Sequence, residues 1–252
     1  MKRFLILVII FTSINIYSQD NIYTVDTLKI KSAILQEERM AYVFKPQGIS
    51  ETDSVTLLYL LEGEESYGIY QEIGRRFDDS ISNMVVVGIS NPERRRDMLY
   101  IHSADKFLEY VGMELIPAVE KNCRTSARIL HGHSFCGSFT VYALINKPEY
   151  FDYYMASSPI PLVNMVEKEH YLKIDSLSAG KLNFYFSSGS KDMKQVRKYT
   201  SILRENLEGT KFRNLDWQFK IFEGKNHFNI YMDALSWGLN KIRTGRLPQT
   251  SR

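Results

Sequence analysis

The segment RILHGHSFCGSFTVYAL, residues 128–144, sets Ser134 between small residues where an apolar run ends and a helical pattern begins. A serine on a sharp strand-to-helix turn can present its hydroxyl as a nucleophile. Such a turn is crowded, and it demands small residues two positions before and two after the serine, the pattern G-x-S-x-G. Gly132 meets the first demand, and Cys136 stands at the second with Gly137 beside it. The following helix offers free N–H groups and a dipole that favours negative charge, so Phe135 N–H is a donor for the oxyanion formed when Ser134 attacks a carbonyl. An ordinary turn serine is the competing reading, because serine and glycine are common in loops and the short motif is weak alone.

A serine nucleophile needs a general base, and the base needs an orienting carboxylate, in the chain order serine, acid, histidine. Of the five histidines, His227 alone lies beyond the remaining strands, in EGKNHFNIY between the last strand and the last helix. His131 and His133 are too close in sequence to Ser134 to serve as its base, although either can line the pocket; His102 and His170 read as surface residues. The strand LNFYFSSG runs into SKD, which carries Asp192 to the sheet edge expected for Ser134 and His227. A helix N-cap before MKQVRKY is the competing use of Asp192. Asp175 and Glu223 are less favoured acids, and Asp216 precedes its strand and belongs at the opposite end.

These residues need a scaffold that gathers strand ends. IYTVDTLKIKSAIL and ERMAYVFKPQG alternate in character and read as an antiparallel start to a sheet. VTLLYLL, MVVVGIS, ARILHGHS, FDYYMASSP, LNFYFSSG and WQFKIFEG are shorter, more continuously apolar runs, suited to strands buried on both faces. Between them lie helical patterns, SADKFLEYVGMELIPAVEKN, FCGSFTVYALINKP, DMKQVRKYTSILRENLEG and FNIYMDALSWGLNKI. The alternation predicts an α/β fold with a mostly parallel central sheet of about eight strands and helices on both faces. The stretch from Ser158 to Gly180 is the one long interruption, too short for a large helical lid.

The chain of 252 residues is 44% hydrophobic and 24% charged, the composition of one sizeable globular domain. MKRFLILVIIFTSINIYSQD pairs a basic start with an apolar run and a polar exit, so residues 1–19 read as a secretory signal peptide and 20–252 as the folded domain. Export to a periplasmic or extracellular location follows, with no lipoprotein cysteine and no stable membrane anchor. A formal charge of only +3, two of it from Lys2 and Arg3, gives no reason to propose nucleic acid as a partner. Cys123 and Cys136 flank opposite ends of a strand roughly 20 Å long and therefore read as free thiols. There is no metal-ligand spacing such as H-E-x-x-H and no dinucleotide fingerprint, so no metal and no cofactor are implied.

The chain resembles the esterase family of α/β-hydrolases, which holds enterochelin-type siderophore esterases, feruloyl and acetyl-xylan esterases, S-formylglutathione hydrolase and mycolyltransferases. LLYLLEGEESY, VVVGISNPERRRD, RILHGHSFCGSFTVYALINKPEYFDYYMASSP, FYFSSGSKD and FEGKNHFNIYMDALSWGL carry the resemblance, over roughly residues 25–243. It implies Ser134 as nucleophile, Asp192 as acid, His227 as base and Glu64 N–H as second oxyanion donor beside Phe135 N–H. Arg94, Arg96 and Asp97 match an R-x-R-D loop, but Leu99-Tyr100 replaces the Thr-Pro that often follows, so Arg94 and Arg96 stand either as contacts to an anionic substrate or as part of an Arg-Asp network. Cys136 replaces the second glycine of G-H-S-x-G-G and points away from the base. The expected activity is hydrolysis of a small-molecule or glycan-linked carboxylic ester through an acyl-enzyme. An acyltransferase of the same fold, or an esterase-like binding protein without turnover, are the alternatives.

Overall fold

The computed structural model describes residues 10–14, 23–50, 52–77, 83–92, 97–98, 101–121, 123–160, 168–177 and 180–245. Two compact units divide the chain between Leu130 and His131. In the first, β1 (Ile10–Ile14), β2 (Tyr23–Ser32), β3 (Glu37–Pro46), β4 (Ser54–Leu60) and β5 (Met84–Ile89) lie in the order β1-β2-β3-β5-β4. β2 and β3 form the expected antiparallel hairpin, in register from Tyr23 opposite Pro46 to Ser32 opposite Glu37. Gln36, at φ 59°, turns the chain between them, with Leu35 N–H donating to Ser32 Oγ at 2.8 Å. β3 is antiparallel to β5, and β4 is parallel to β5. Every residue from Val55 to Leu60 and from Met84 to Ile89 is buried, which is why these strands are apolar without alternation.

Helix α1 (Ser66–Phe77) fills a stretch to which the sequence reading assigned no helix. Its buried positions, Ser66, Ile69, Ile73 and Phe77, make a thin stripe with only three apolar members, and Gly68 weakens the helical signal further. The single long helix expected over 103–122 is three segments, α2 (Ile101–Tyr110), a π-turn (Val111–Leu115) and α3 (Ile116–Glu120). Pro117 has no N–H to give the carbonyl four residues back, and Ile116 N–H instead reaches Val111 O, the five-residue spacing of a π-bulge.

β6 (Arg124–His133) begins in the first unit and ends in the second. The second unit continues with α4 (Phe135–Asn146), β7 (Tyr153–Ser157), α5 (Lys168–Tyr171), α6 (Ile174–Leu177), β8 (Leu182–Gly189), α7 (Lys194–Glu208), β9 (Leu215–Phe222) and α8 (Tyr231–Gly245). β7, β8 and β9 are parallel neighbours in that order. β2 to β9 are thus the eight strands expected, mostly parallel and alternating with helices. Among the described residues, only the short α5 and α6 occupy the 158–180 interruption. α4 is buried at every position from Cys136 to Ile145, as its unbroken apolar sequence requires. β9 differs from the expectation of a strand buried on both faces. It closes the strand order, and Asp216, Gln218 and Lys220 are exposed while Trp217 and Phe219 turn inward, the alternation of an edge strand. Cys123 and Cys136 are both free thiols.

Candidate active site

Ser134 occupies the junction of β6 and α4 at φ 58° and ψ −118°, a conformation that costs a side-chain-bearing residue energy and persists only where the surroundings impose it. Ser134 N–H donates to Ser157 O at 2.9 Å, while Ser134 O accepts from Ser138 N–H at 3.0 Å and Ser138 Oγ at 3.1 Å. The crowding foreseen from the sequence is present, but its helix-side focus is one residue later. A Cβ on Gly132 would sit 2.3 Å from Cys136 O, and one on Gly137 would sit 2.8 Å from Ser157 O. Cys136 itself, 1% exposed, occupies a position that admits a small side chain, because Gly137 meets the close approach of the β7 backbone.

His227 follows β9 in a turn held by Asn226, whose Oδ1 accepts Phe228 N–H at 2.9 Å and whose own N–H donates to Asn229 Oδ1 at 2.8 Å. Its Nε2 lies 2.9 Å from Ser134 Oγ, and its Nδ1 lies 2.9 Å from Asp192 Oδ1. A carboxylate can only accept, so Nδ1 carries the hydrogen and Nε2 is left to accept the Ser134 hydroxyl proton. The three residues expected from strand-end positions and chain order are therefore brought together within the second unit.

Asp192 is 4% exposed. Its Oδ1 also accepts Met193 N–H at 2.8 Å, and its Oδ2 accepts the Ser158 hydroxyl at 2.5 Å and Gly189 N–H at 3.3 Å. Burial pushes its carboxyl upward, but the hydrogen bonds from His227, Ser158, Met193 and Gly189 together outweigh burial and hold it below the ordinary aspartate range. The N-cap of α7 is Met193, without a side-chain cap bond, so the competing cap use of Asp192 is not what the structure shows. Asp175 accepts Arg213 N–H at 2.7 Å and Asn214 N–H at 3.0 Å, which ties down the turn before β9, and Glu223 is exposed.

Two further histidines surround this chain of bonds. The His133 ring lies 4.7 Å from that of His227, and its Nδ1 meets Ser157 Oγ at 3.2 Å. Burial, reinforced by repulsion from His227, pushes His133 down to about 4. His131 is fully buried against the Tyr231 ring at 5.0 Å, neither ring nitrogen has a hydrogen-bond partner among the described residues, and burial pushes it down to about 3. Both are neutral imidazoles near pH 7. His170 is half-buried rather than a plain surface residue.

Phe135 opens α4, at the end of the helix whose dipole favours negative charge. Glu64 lies in the short turn Gly63–Glu65 of the first unit, and its carboxylate accepts Ser90 Oγ–H and Asn91 N–H, each at 2.9 Å. Arg94 and Arg96 lie outside the described residues. Their neighbour Asp97 is buried and ion-paired at 2.5 Å with Arg39 of β3, a partner the sequence reading did not name. Ser157 and Ser158 were also missed. Nothing in MASSP distinguishes them from other strand-end serines until the 3-D neighbours are known.

The model of the Putative esterase family matches residues 32–240. The chain belongs to that family. As an esterase, it is a carboxylic ester hydrolase. It is 20% identical to the ferri-bacillibactin esterase BesA of Bacillus subtilis, over 83% of this chain and 87% of that one. Among solved structures, the esterase is similar to the BES protein of Bacillus cereus, with a TM-score of 0.75 and 21% identity over 89% of this chain and 98% of that one. It is also similar to the siderophore hydrolase EstA of Aspergillus nidulans, with a TM-score of 0.72 and 19% identity over 88% and 94% of the two chains. These likenesses establish the α/β-hydrolase fold. No helix among the described residues is long and apolar enough to cross a membrane.

Proposed function

We propose that this esterase is an exported serine hydrolase that cleaves small-molecule esters of the siderophore, feruloyl or acetyl type through an acyl-enzyme on Ser134. The observation that carries the reading is the unbroken line of hydrogen bonds from Ser134 Oγ through His227 to Asp192, at 2.9 Å in each step. His227 Nε2 takes the hydroxyl proton as Oγ attacks the ester carbon, and it returns that proton to the leaving alcohol. Asp192 keeps the proton on Nδ1 and stabilises the imidazolium. Phe135 N–H and, by the sequence resemblance, Glu64 N–H receive the oxyanion. Water, activated by the same imidazole, then releases the acid. The substrate class is supported by the siderophore esters named for the relatives, and export by the pattern of residues 1–19.

The test is a turnover screen of purified protein on short-chain, feruloyl and catecholate-siderophore esters, with Ser134→Ala alongside. The variant loses about a thousandfold or more on the best substrate while its fold is retained. A pure, folded Ser134→Ala protein with near-native turnover would sink the assignment.

A further inference from the structure

The carboxylate that faces His227 is itself held from the far side. Ser158 follows β7, is completely buried, and sits at φ 45°, in the left-handed region that side-chain-bearing residues avoid. Its N–H donates to Ser187 O at 2.8 Å, which anchors its backbone to β8. Its hydroxyl donates to Asp192 Oδ2 at 2.5 Å, on the oxygen opposite the one that meets His227. The residue before it is equally engaged: Ser157 O receives Ser134 N–H at 2.9 Å, and Ser157 Oγ meets His133 Nδ1 at 3.2 Å. Two consecutive residues thus fasten the nucleophile's backbone and the acid's side chain to one strand end.

A backbone at φ 45° is best served by glycine, and the bond from Ser158 N–H to Ser187 O needs no side chain. What serine adds over glycine is the side chain with its hydroxyl, and among the described residues the hydroxyl donates to Asp192 Oδ2. Gly189 N–H reaches the same oxygen only at 3.3 Å, so Ser158 is its close donor. Without it, a carboxylate 4% exposed would keep a poorly satisfied oxygen and could rotate about its Cβ–Cγ bond away from His227.

We infer that Ser158 is a positioning residue for the hydrolysis, its hydroxyl fixing the Asp192 carboxylate in the plane that orients His227. This rests on the Ser134, His227 and Asp192 reading above and adds a fourth, non-reacting member to it. The donor also withdraws charge from the carboxylate. Its removal leaves the Asp192 carboxylate more basic and so a stronger acceptor for the His227 N–H. Among the described residues, His133 stacks near His227 and is neutral above about pH 4, so it does not change charge near neutrality, and Arg197 Nε donates to Asp192 O at 3.1 Å.

The experiment compares Ser158→Gly and Ser158→Ala with the native enzyme on a short-chain ester. Measurements are kcat and KM separately, the pH profile of kcat/KM, and Tm. Both variants lose kcat by about ten- to a hundredfold with KM little changed, and in both the acid limb of the profile moves upward, by about one pH unit at most. Ser158→Gly keeps the native backbone because glycine suits φ 45°, so with Tm showing it folded its kinetics report the loss of the side chain's bond to Asp192. A folded Ser158→Gly enzyme with native kcat and an unmoved acid limb overturns the proposal and assigns Ser158 to packing. A failure of the underlying reading looks different, since it appears as an active Ser134→Ala protein whatever the Ser158 variants do.

Discussion

At the scale of single residues, the acid and the two buried histidines lead to separate measurements. Asp192→Asn removes the charge that holds the imidazole tautomer but leaves a group of the same shape, so kcat falls about a thousandfold or more while Tm hardly moves. A Tm loss with full activity would return Asp192 to a purely structural role. His131 and His133, pushed to about 3 and about 4, are neutral in the folded chain where their unfolded counterparts titrate near the ordinary histidine value. The unfolded state therefore binds more protons as pH falls from about 6.5, and the stability contributed by the two neutral rings is lost from there down to about 3. His131→Phe removes two buried ring nitrogens that have no partner among the described residues, and one of those protons, so the variant is less acid-labile, read as a higher Tm relative to the native chain at pH 4.5 than at pH 7.5. An equal Tm difference at both pH values would count against the linkage. The convergence of Ser134, Asp192 and His227 was legible in the sequence because each follows the end of a strand on a chain whose order of strands is itself legible. Ser158 was not, because its meaning is a contact with a residue 34 positions away.

At the scale of elements, the turn from β6 to α4 makes a sharp distinction between neighbouring positions. Cys136→Gly removes a small buried side chain and adds glycine to the first turn of a helix, a cost of about 0.5–1 kcal/mol, and leaves turnover within a few-fold. Gly137→Ala is the harsher change. Its Cβ must displace the backbone oxygen of Ser157, the same oxygen that holds Ser134 N–H, and turnover falls at least tenfold with a clear drop in Tm. Equal tolerance of both substitutions would show that the close approach lies elsewhere. The elements themselves were read from the sequence in proportion to the apolar surface they bury. β4, β5 and α4 are almost wholly buried and stood out. α1 contributes a sparse stripe and escaped notice, and the π-turn before Pro117 follows from backbone bonding that composition does not express.

At the scale of the whole molecule, the fold class followed from the alternation of strand and helix, whereas the destination of the chain depends on its first residues. Export predicts that the protein recovered from the periplasm or medium begins near Asp20, which intact-mass measurement of that fraction reads directly; a full-length chain retained inside the cell would count against it. Such a cleavage would have a mechanical consequence. Ile10–Ile14 pairs with Val25–Lys29 along the outer side of β2, so a chain cut after residue 19 loses the strand that covers this border. The mature β2 then shows a row of open amide and carbonyl groups to the solvent, the template on which a foreign strand can add. Asp26, Lys29 and Lys31 stud that strand with charge, and they would make a second apolar strand costly to accept. Maturation would thus exchange a self-supplied cover for an electrostatic guard, and uncharged substitutions at Lys29 and Lys31 should leave the precursor soluble while the processed enzyme begins to assemble edge to edge.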